Sequence, residues 1–185
     1  MRPSHRDRPR SERHPYTITY TLTGTFSGTL DGNDFTADAV FTGVGDTNGP
    51  STYGAPFRDL TSLKAVANGV TYTSLSTGYF YSFGAQEAGF GTLANGYFIN
   101  FTGLTGYDGS TAKAPTAVEF GGAAGQAFVT DNGTAFINDA SNLVFSASVA
   151  GVVPEPATWA MMIGGIGAAG GALRRRKANV SVRFA

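Results

Sequence analysis

Eight consecutive residues, Tyr16 to Thr23, alternate strictly: Tyr16, Ile18, Tyr20 and Leu22 fall on one side, Thr17, Thr19, Thr21 and Thr23 on the other. A period of two with β-branched and aromatic side chains is a strand with one apolar and one wet face. The same grammar continues. Phe26 to Leu30 and Phe35 to Phe41 flank the turn residues Asp31-Gly32-Asn33-Asp34, and Leu63 to Val66 and Val70 to Leu75 flank Asn68-Gly69. Asn-Gly closes hairpins because both residues take positive φ at low cost. Gly78 to Gly84 and Gly96 to Phe101 are aromatic and apolar on both sides, as strands buried on both faces are. Val118 to Phe120, Ala127 to Thr130, Thr134 to Ile137 and Leu143 to Val149 complete the set, with Asp131-Asn132-Gly133 as a further turn. Thr42 to Pro56 and Gly103 to Pro115, rich in Gly and polar residues, read as loops.

About ten short strands with no helical periodicity before Pro156 predict an all-β fold, an antiparallel β-sandwich of jelly-roll type, with a closed barrel as the alternative. Strands this short do not fit an outer-membrane barrel, whose strands need about 9–11 residues. The expected domain spans residues 16–153, large enough for one buried core. It is acidic: Arg58, Lys64 and Lys113 face ten Asp and Glu, a net of −7, although the whole chain is neutral. That charge excludes nucleic acid as a partner. The chain has no cysteine, so neither disulfides nor thiol chemistry are available to it. Residues 1–15, with five arginines and three prolines, have the composition of a disordered basic tail, and the true start, with its signal peptide, is expected upstream of or out of frame with Met1.

Little catalytic chemistry is on offer. The two histidines, His5 and His14, sit in the basic tail, so a Ser-His-Asp group or a histidine-based zinc site has no imidazole within the domain. A small glycosidase using Glu87, Glu119 or an aspartate pair is the third-ranked reading. Asp31-Gly32-Asn33-Asp34 and Asp46-Thr47-Asn48-Gly49 gather oxygen ligands of the kind calcium takes, but Asx residues occupy turns for backbone reasons alone, and no metal or other cofactor is expected. Tyr79, Tyr81, Tyr97 and Tyr107 motivate a carbohydrate-binding module, since aromatic faces stack on apolar ligand faces.

After the domain comes Pro154-Glu155-Pro156, then seventeen residues without a charge (Ala157 to Leu173), then Arg174, Arg175, Arg176 and Lys177. A helix can begin at Pro156 but not run back through it. Seventeen residues at helical rise cover about 25 Å, a short, Gly-rich membrane span, and the basic cluster behind it is expected to stay cytoplasmic, followed by a tail at 178–185. Gly165-Ile166-Gly167-Ala168-Ala169-Gly170 spells a dinucleotide fingerprint, but no acid follows Glu155 and no βαβ unit precedes it. Pro154, Glu155, Pro156, Trp159 and Ala160, the apolar span and the arginines together resemble the PEP-CTERM sorting signal of Gram-negative bacteria. The resemblance covers about 25 of 185 residues, here taken as 154–177. It implies that the tripeptide is recognised by an exosortase in the inner membrane. It further implies that the protein is exported to the surface or to an exopolysaccharide and biofilm matrix, and the lack of a catalytic set in the domain makes a non-enzymatic component the expectation.

Overall fold

The computed structural model describes residues 16–49, 51–84, 86–122 and 125–150. The predicted C-terminal helix and every residue of the sorting signal lie outside these. Among the described residues no helix is long and apolar enough to cross a membrane.

The first alternation extends further than its eight residues. Strand β1 runs Thr17–Leu30 and turns through Asp31 and Gly32, at φ 49° and 82°, into β2 (Asn33–Asp46). These positive values are those of a two-residue hairpin turn matched to strand twist. The two pair without a shift along their whole length, from Thr17 opposite Asp46 to Leu30 opposite Asn33. β3 (Phe57–Ala67) and β4 (Val70–Thr73) form the Asn68-Gly69 hairpin as expected. β5 (Gly78–Ser82), β6 (Ala88–Thr92) and β7 (Gly96–Thr102) follow as a meander. Then come β8 (Lys113–Ala117), β9 (Glu119–Gly122), β10 (Phe128–Thr130) and β11 (Gly133–Ala150).

The fold is all-β and antiparallel, but it is not a sandwich of two sheets. All eleven strands belong to one sheet; nine run in the order β10-β11-β1-β2-β3-β5-β6-β7-β9, with β4 beside β3 and β8 beside β11, and the sheet curls until its ends nearly meet. The short linker at Val118 makes the closure on one side: β8 pairs with β11, while β9, directly after it, pairs with β7. At the other end of the long strands β4 pairs with β3, and Ser74 bridges Thr130 of β10, which pairs with β11. The long strands β1, β2, β3 and β11 therefore form a common wall that two shorter sets of strands close at opposite ends.

Two bulges give β11 the curvature that closure needs. Its register against β1 slips between Thr23 and Thr25, opposite Asn142 at φ 54°, and again between Ser27 and Gly28, opposite Asn138. Glycine is required at both places on β1. A Cβ at Gly24 would lie 2.8 Å from the Ser141 carbonyl oxygen, and one at Gly28 would fall on the Phe136 carbonyl.

The interior is aromatic. Tyr20 stacks on Phe80 at 4.2 Å between ring centroids, Phe80 on Phe145 at 5.5 Å, and Phe101 lies 5.4 Å from Phe145. A second group, Phe26, Phe41, Phe98 and Phe128, fills the middle, with Phe98 stacked on Phe128 at 4.5 Å. The loop 103–112 plugs the end where β1 begins. Tyr107 inserts beside Phe145 at 5.7 Å, the Ser82 hydroxyl donates to the Tyr107 carbonyl (2.6 Å), and the Tyr20 hydroxyl donates to the Gly109 carbonyl (2.6 Å). Within that loop hydrogen bonds from Ser110 hold the Asp108 carboxyl below the usual range. On the outside β1 shows its threonines and β2 shows Asp34, Thr36, Asp38 and Thr42. A mostly polar outer wall over an apolar interior, interrupted outside by Val40, Phe136 and Val144, is the inverse of a lipid-facing barrel with its continuous apolar belt. This, rather than strand length, separates the fold from that class, since β1 and β2 are each 14 residues long.

Candidate functional site

Three places in the chain can carry function: the open end of the barrel, the outer face of its β5–β7 meander, and the segment that follows it. The first is the barrel end opposite the plug. Here the inward positions of β2 and β3 read Phe35, Ala37, Ala39, Phe41 and Ala65, Ala67. Register sets Ala39 opposite Ala67 and Phe41 opposite Ala65. Alanines side by side on adjacent strands of one wall leave room that no neighbour fills. The result is a cavity of about 160 Å³, open at the barrel mouth, floored by Phe26, Phe41 and Phe128 and completed by Ala135 and Ile137 of β11. Its polar lining comes from Asn68 and Tyr72, and no carboxylate lines it.

The second is the outer face of β5, β6 and β7. Outward positions on β5 are Tyr79 and Tyr81, which stand directly opposite Gly91 and Gly89 of β6. The rings lie over those glycines: a Cβ at Gly89 would meet the Tyr81 hydroxyl at 2.8 Å, and one at Gly91 would fall on the Tyr79 ring. An aromatic covering a cross-strand glycine shields backbone that would otherwise be bare. Tyr81 also donates to the Asn100 side-chain oxygen on β7. Burial pushes the Tyr79 hydroxyl up to about 12 and raises Tyr81 further, with Glu87 beside it adding to the effect. Around this pair Tyr53, Phe57, Phe83 and Tyr97 close in at centroid distances of 5.5 to 5.8 Å. Tyr53, Phe83 and Tyr97 remain 52 %, 44 % and 44 % exposed, so the face ends in three aromatic edges in water.

The tyrosines singled out in the sequence thus separate. Tyr79, Tyr81 and Tyr97 share the outer face, with Tyr79 and Tyr81 beneath it rather than on it, while Tyr107 is part of the plug. Sequence reasoning missed Tyr53, Phe57 and Phe83. Phe83 continues the aromatic run of β5, which was the available signal, whereas Phe57 opens β3 ahead of the strand read from Leu63 and Tyr53 sits in a loop. The acidic turns are accounted for by backbone N–H groups: Asp31 accepts from the Thr134 N–H of β11 at 2.8 Å and Asp46 from the Asn48 N–H of its own turn at 2.7 Å. Among the described residues no three His, Cys, Asp or Glu cluster as a metal would require. Glu87 and Glu119 are not brought to the cavity.

The third place is the C-terminal segment, with Pro154, Glu155, Pro156, Trp159, Ala160 and the cations Arg174, Arg175, Arg176 and Lys177, all outside the described residues. β11 delivers the chain to it: Ala150 ends the strand opposite Thr17, at the plugged end of the barrel. Residues 152–177 match the family of the PEP-CTERM protein-sorting motif, two residues longer at the front than the segment delimited from the sequence. No curated protein and no solved structure matches the chain. The chain carries the PEP-CTERM protein-sorting motif at residues 152–177, which supports its export through the membrane and its sorting by an exosortase.

Proposed function

We propose that this is a non-enzymatic β-barrel protein, sorted by an exosortase to the surface or extracellular matrix of a Gram-negative bacterium. The observation that carries the reading is the PEP-CTERM motif at residues 152–177, behind a barrel that is complete at Ala150. Pro154-Glu155-Pro156 serves as the recognised element, the following span holds the precursor in the inner membrane, and Arg174 to Lys177 keep its end cytoplasmic. A binding or structural role is favoured over catalysis by the cavity lining, which offers a nucleophile or proton carrier nothing beyond Asn68 and Tyr72. The test replaces Pro154, Glu155 and Pro156 by alanine and follows the barrel through fractionation of the native host. The wild-type chain is expected outside the inner membrane, and the variant in the membrane as precursor, with at least a tenfold smaller released fraction. Equal release of both would overturn sorting by this motif.

A second reading is favoured by the outer aromatic face: a carbohydrate-binding module for matrix exopolysaccharide. Tyr53, Phe83 and Tyr97 present aromatic surface on one sheet, and aromatics offer pyranose rings a flat apolar platform. Changing Phe83 and Tyr97 together to alanine is expected to reduce retention on host exopolysaccharide in affinity electrophoresis about tenfold. Both rings also pack on Tyr81, so a loss of stability of about 1–3 kcal/mol is expected with the double change, and circular dichroism checks that the sheet is kept. Unchanged retention of the double variant would sink this reading.

A further inference from the structure

We propose that the open end of the barrel is a binding site for one small, uncharged apolar group, about the size of a single benzene ring. The cavity measures about 160 Å³. Pockets for drug-sized ligands run from roughly 300 Å³ upwards, whereas an apolar cavity of about 150 Å³ takes benzene. One ring fits; anything larger must leave part of itself outside the mouth.

The room is built into the backbone. Ala39, Ala65 and Ala67 sit on strands locked in register by the β2–β3 ladder, and Ala135 sits on β11 between β1 and β10. The walls cannot close on the void without breaking ladder hydrogen bonds, and the alanines have no length to fill it. The floor, Phe26, Phe41 and Phe128, is itself packed and buried.

Chemistry selects against charge. A buried ion would find no opposite charge in a lining that is apolar apart from Asn68 and Tyr72. Anions are disfavoured a second time at the mouth. The β1–β2 and β10–β11 turns there carry Asp31 and Asp131, whose carboxylates cap the N–H groups of Thr134 and Thr73, and none of the three hairpin turns at this end carries a lysine or arginine. Fatty carboxylates and phosphate-bearing lipids are therefore poor ligands, and neutral aromatic or short hydrocarbon groups are good ones. The mouth also opens at the far end of β11 from Ala150, roughly 45 Å of strand away, so a ligand enters at the end remote from where the chain leaves the barrel.

The test titrates the full-length chain, labelled at its alanine methyls, with benzene and separately with hexanoate, and follows the methyl resonances. Benzene is expected to shift Ala39, Ala65 and Ala135 saturably and to leave Ala147, near the plug, at least tenfold less affected. Hexanoate should bind at least tenfold more weakly. Ala39→Leu, which fills the void, should abolish the response, and Ala67→Leu at the rim serves the same purpose if the first variant does not fold. Shifts that are uniform and do not saturate, hexanoate binding as well as benzene, or a filled variant that responds like the wild type would each overturn the proposal.

Discussion

Phe145→Ala is expected to destabilise the barrel by about 4 kcal/mol, the range for removing a fully buried phenyl ring from a core that cannot collapse around the gap. Phe145 is 0 % exposed and stands where the parts of the fold meet: its ring packs on Phe80 of β5, Phe101 of β7 and Tyr107 of the plug, and its backbone pairs with Leu22 of β1 and Thr116 of β8. Its loss opens a hole at the closure itself. Urea unfolding measures the effect, and a lower midpoint at unchanged slope is the expected form. Phe136→Ala on the same strand is the control. Phe136 points outward and is 40 % exposed, so its loss should cost well under 1 kcal/mol. Equal effects at the two positions would mean that the aromatic interior is not what holds the barrel closed.

The second large effect is alkaline unfolding. Burial raises the hydroxyls of Tyr20, Tyr81 and Tyr107 above the ordinary tyrosine value, and that of Tyr79 to about 12. A group whose folded value is raised contributes stability that is complete below its unfolded value of about 10 and is lost as pH climbs towards the folded one. Each tyrosine held neutral at pH 11 costs the fold about 1.4 kcal/mol relative to an unfolded chain that ionises freely. For the set the loss is on the order of 4 kcal/mol, counting Tyr79 at a discount for solvent screening. Domains are stable by only about 5–15 kcal/mol, so this barrel should lose its sheet signal cooperatively between about pH 10 and 12. Tyrosinate absorbance should rise in the same step, because Tyr81 and Tyr107 are sealed by hydrogen bonds to Asn100 and Thr111. Titration of these four near pH 10 with the sheet intact would contradict their placement.

Much of this fold was legible in the sequence, and the gaps have physical causes. The hairpins at Asp31-Gly32, Asn68-Gly69 and Asp131-Asn132-Gly133 were readable because a positive φ leaves a compositional mark. β5 and β7 were readable as strands buried on both faces, and all five residues of β5 are indeed buried. β6 was missed. Its sequence, Ala-Gly-Phe-Gly-Thr, has poor strand propensity, and only the rings of Tyr79 and Tyr81 across the ladder make glycine suitable there. The start of β8 was read as loop because Gly103 to Pro115 is polar and Gly-rich, but an edge strand tolerates Pro115 at a bulge. The sandwich expectation failed at Asn138 to Asn142. A polar run that reads as a turn is instead two bulges within one 18-residue strand, and those bends let a single sheet curl towards closure where a turn would have split it into two.

The candidate sites differ in the same way. The sorting signal is linear, with proline, apolar span and cations in fixed order, so it was readable without any fold. The cavity depends on register: Ala39 and Ala67 are unremarkable until pairing sets them side by side on the inner face. The outer aromatic face required Tyr53 from a loop and Phe57 from β3 to meet residues more than twenty positions later.

The most direct test of the account is the intact mass of the wild-type protein recovered from its native host, measured in the inner-membrane fraction and outside it. Sorting through residues 152–177 predicts two species: a membrane-bound precursor that retains the apolar span and Arg174 to Lys177, and an exported form lighter by a cut within the motif. A single species that keeps the whole C-terminal segment and never leaves the cytosol would contradict the account.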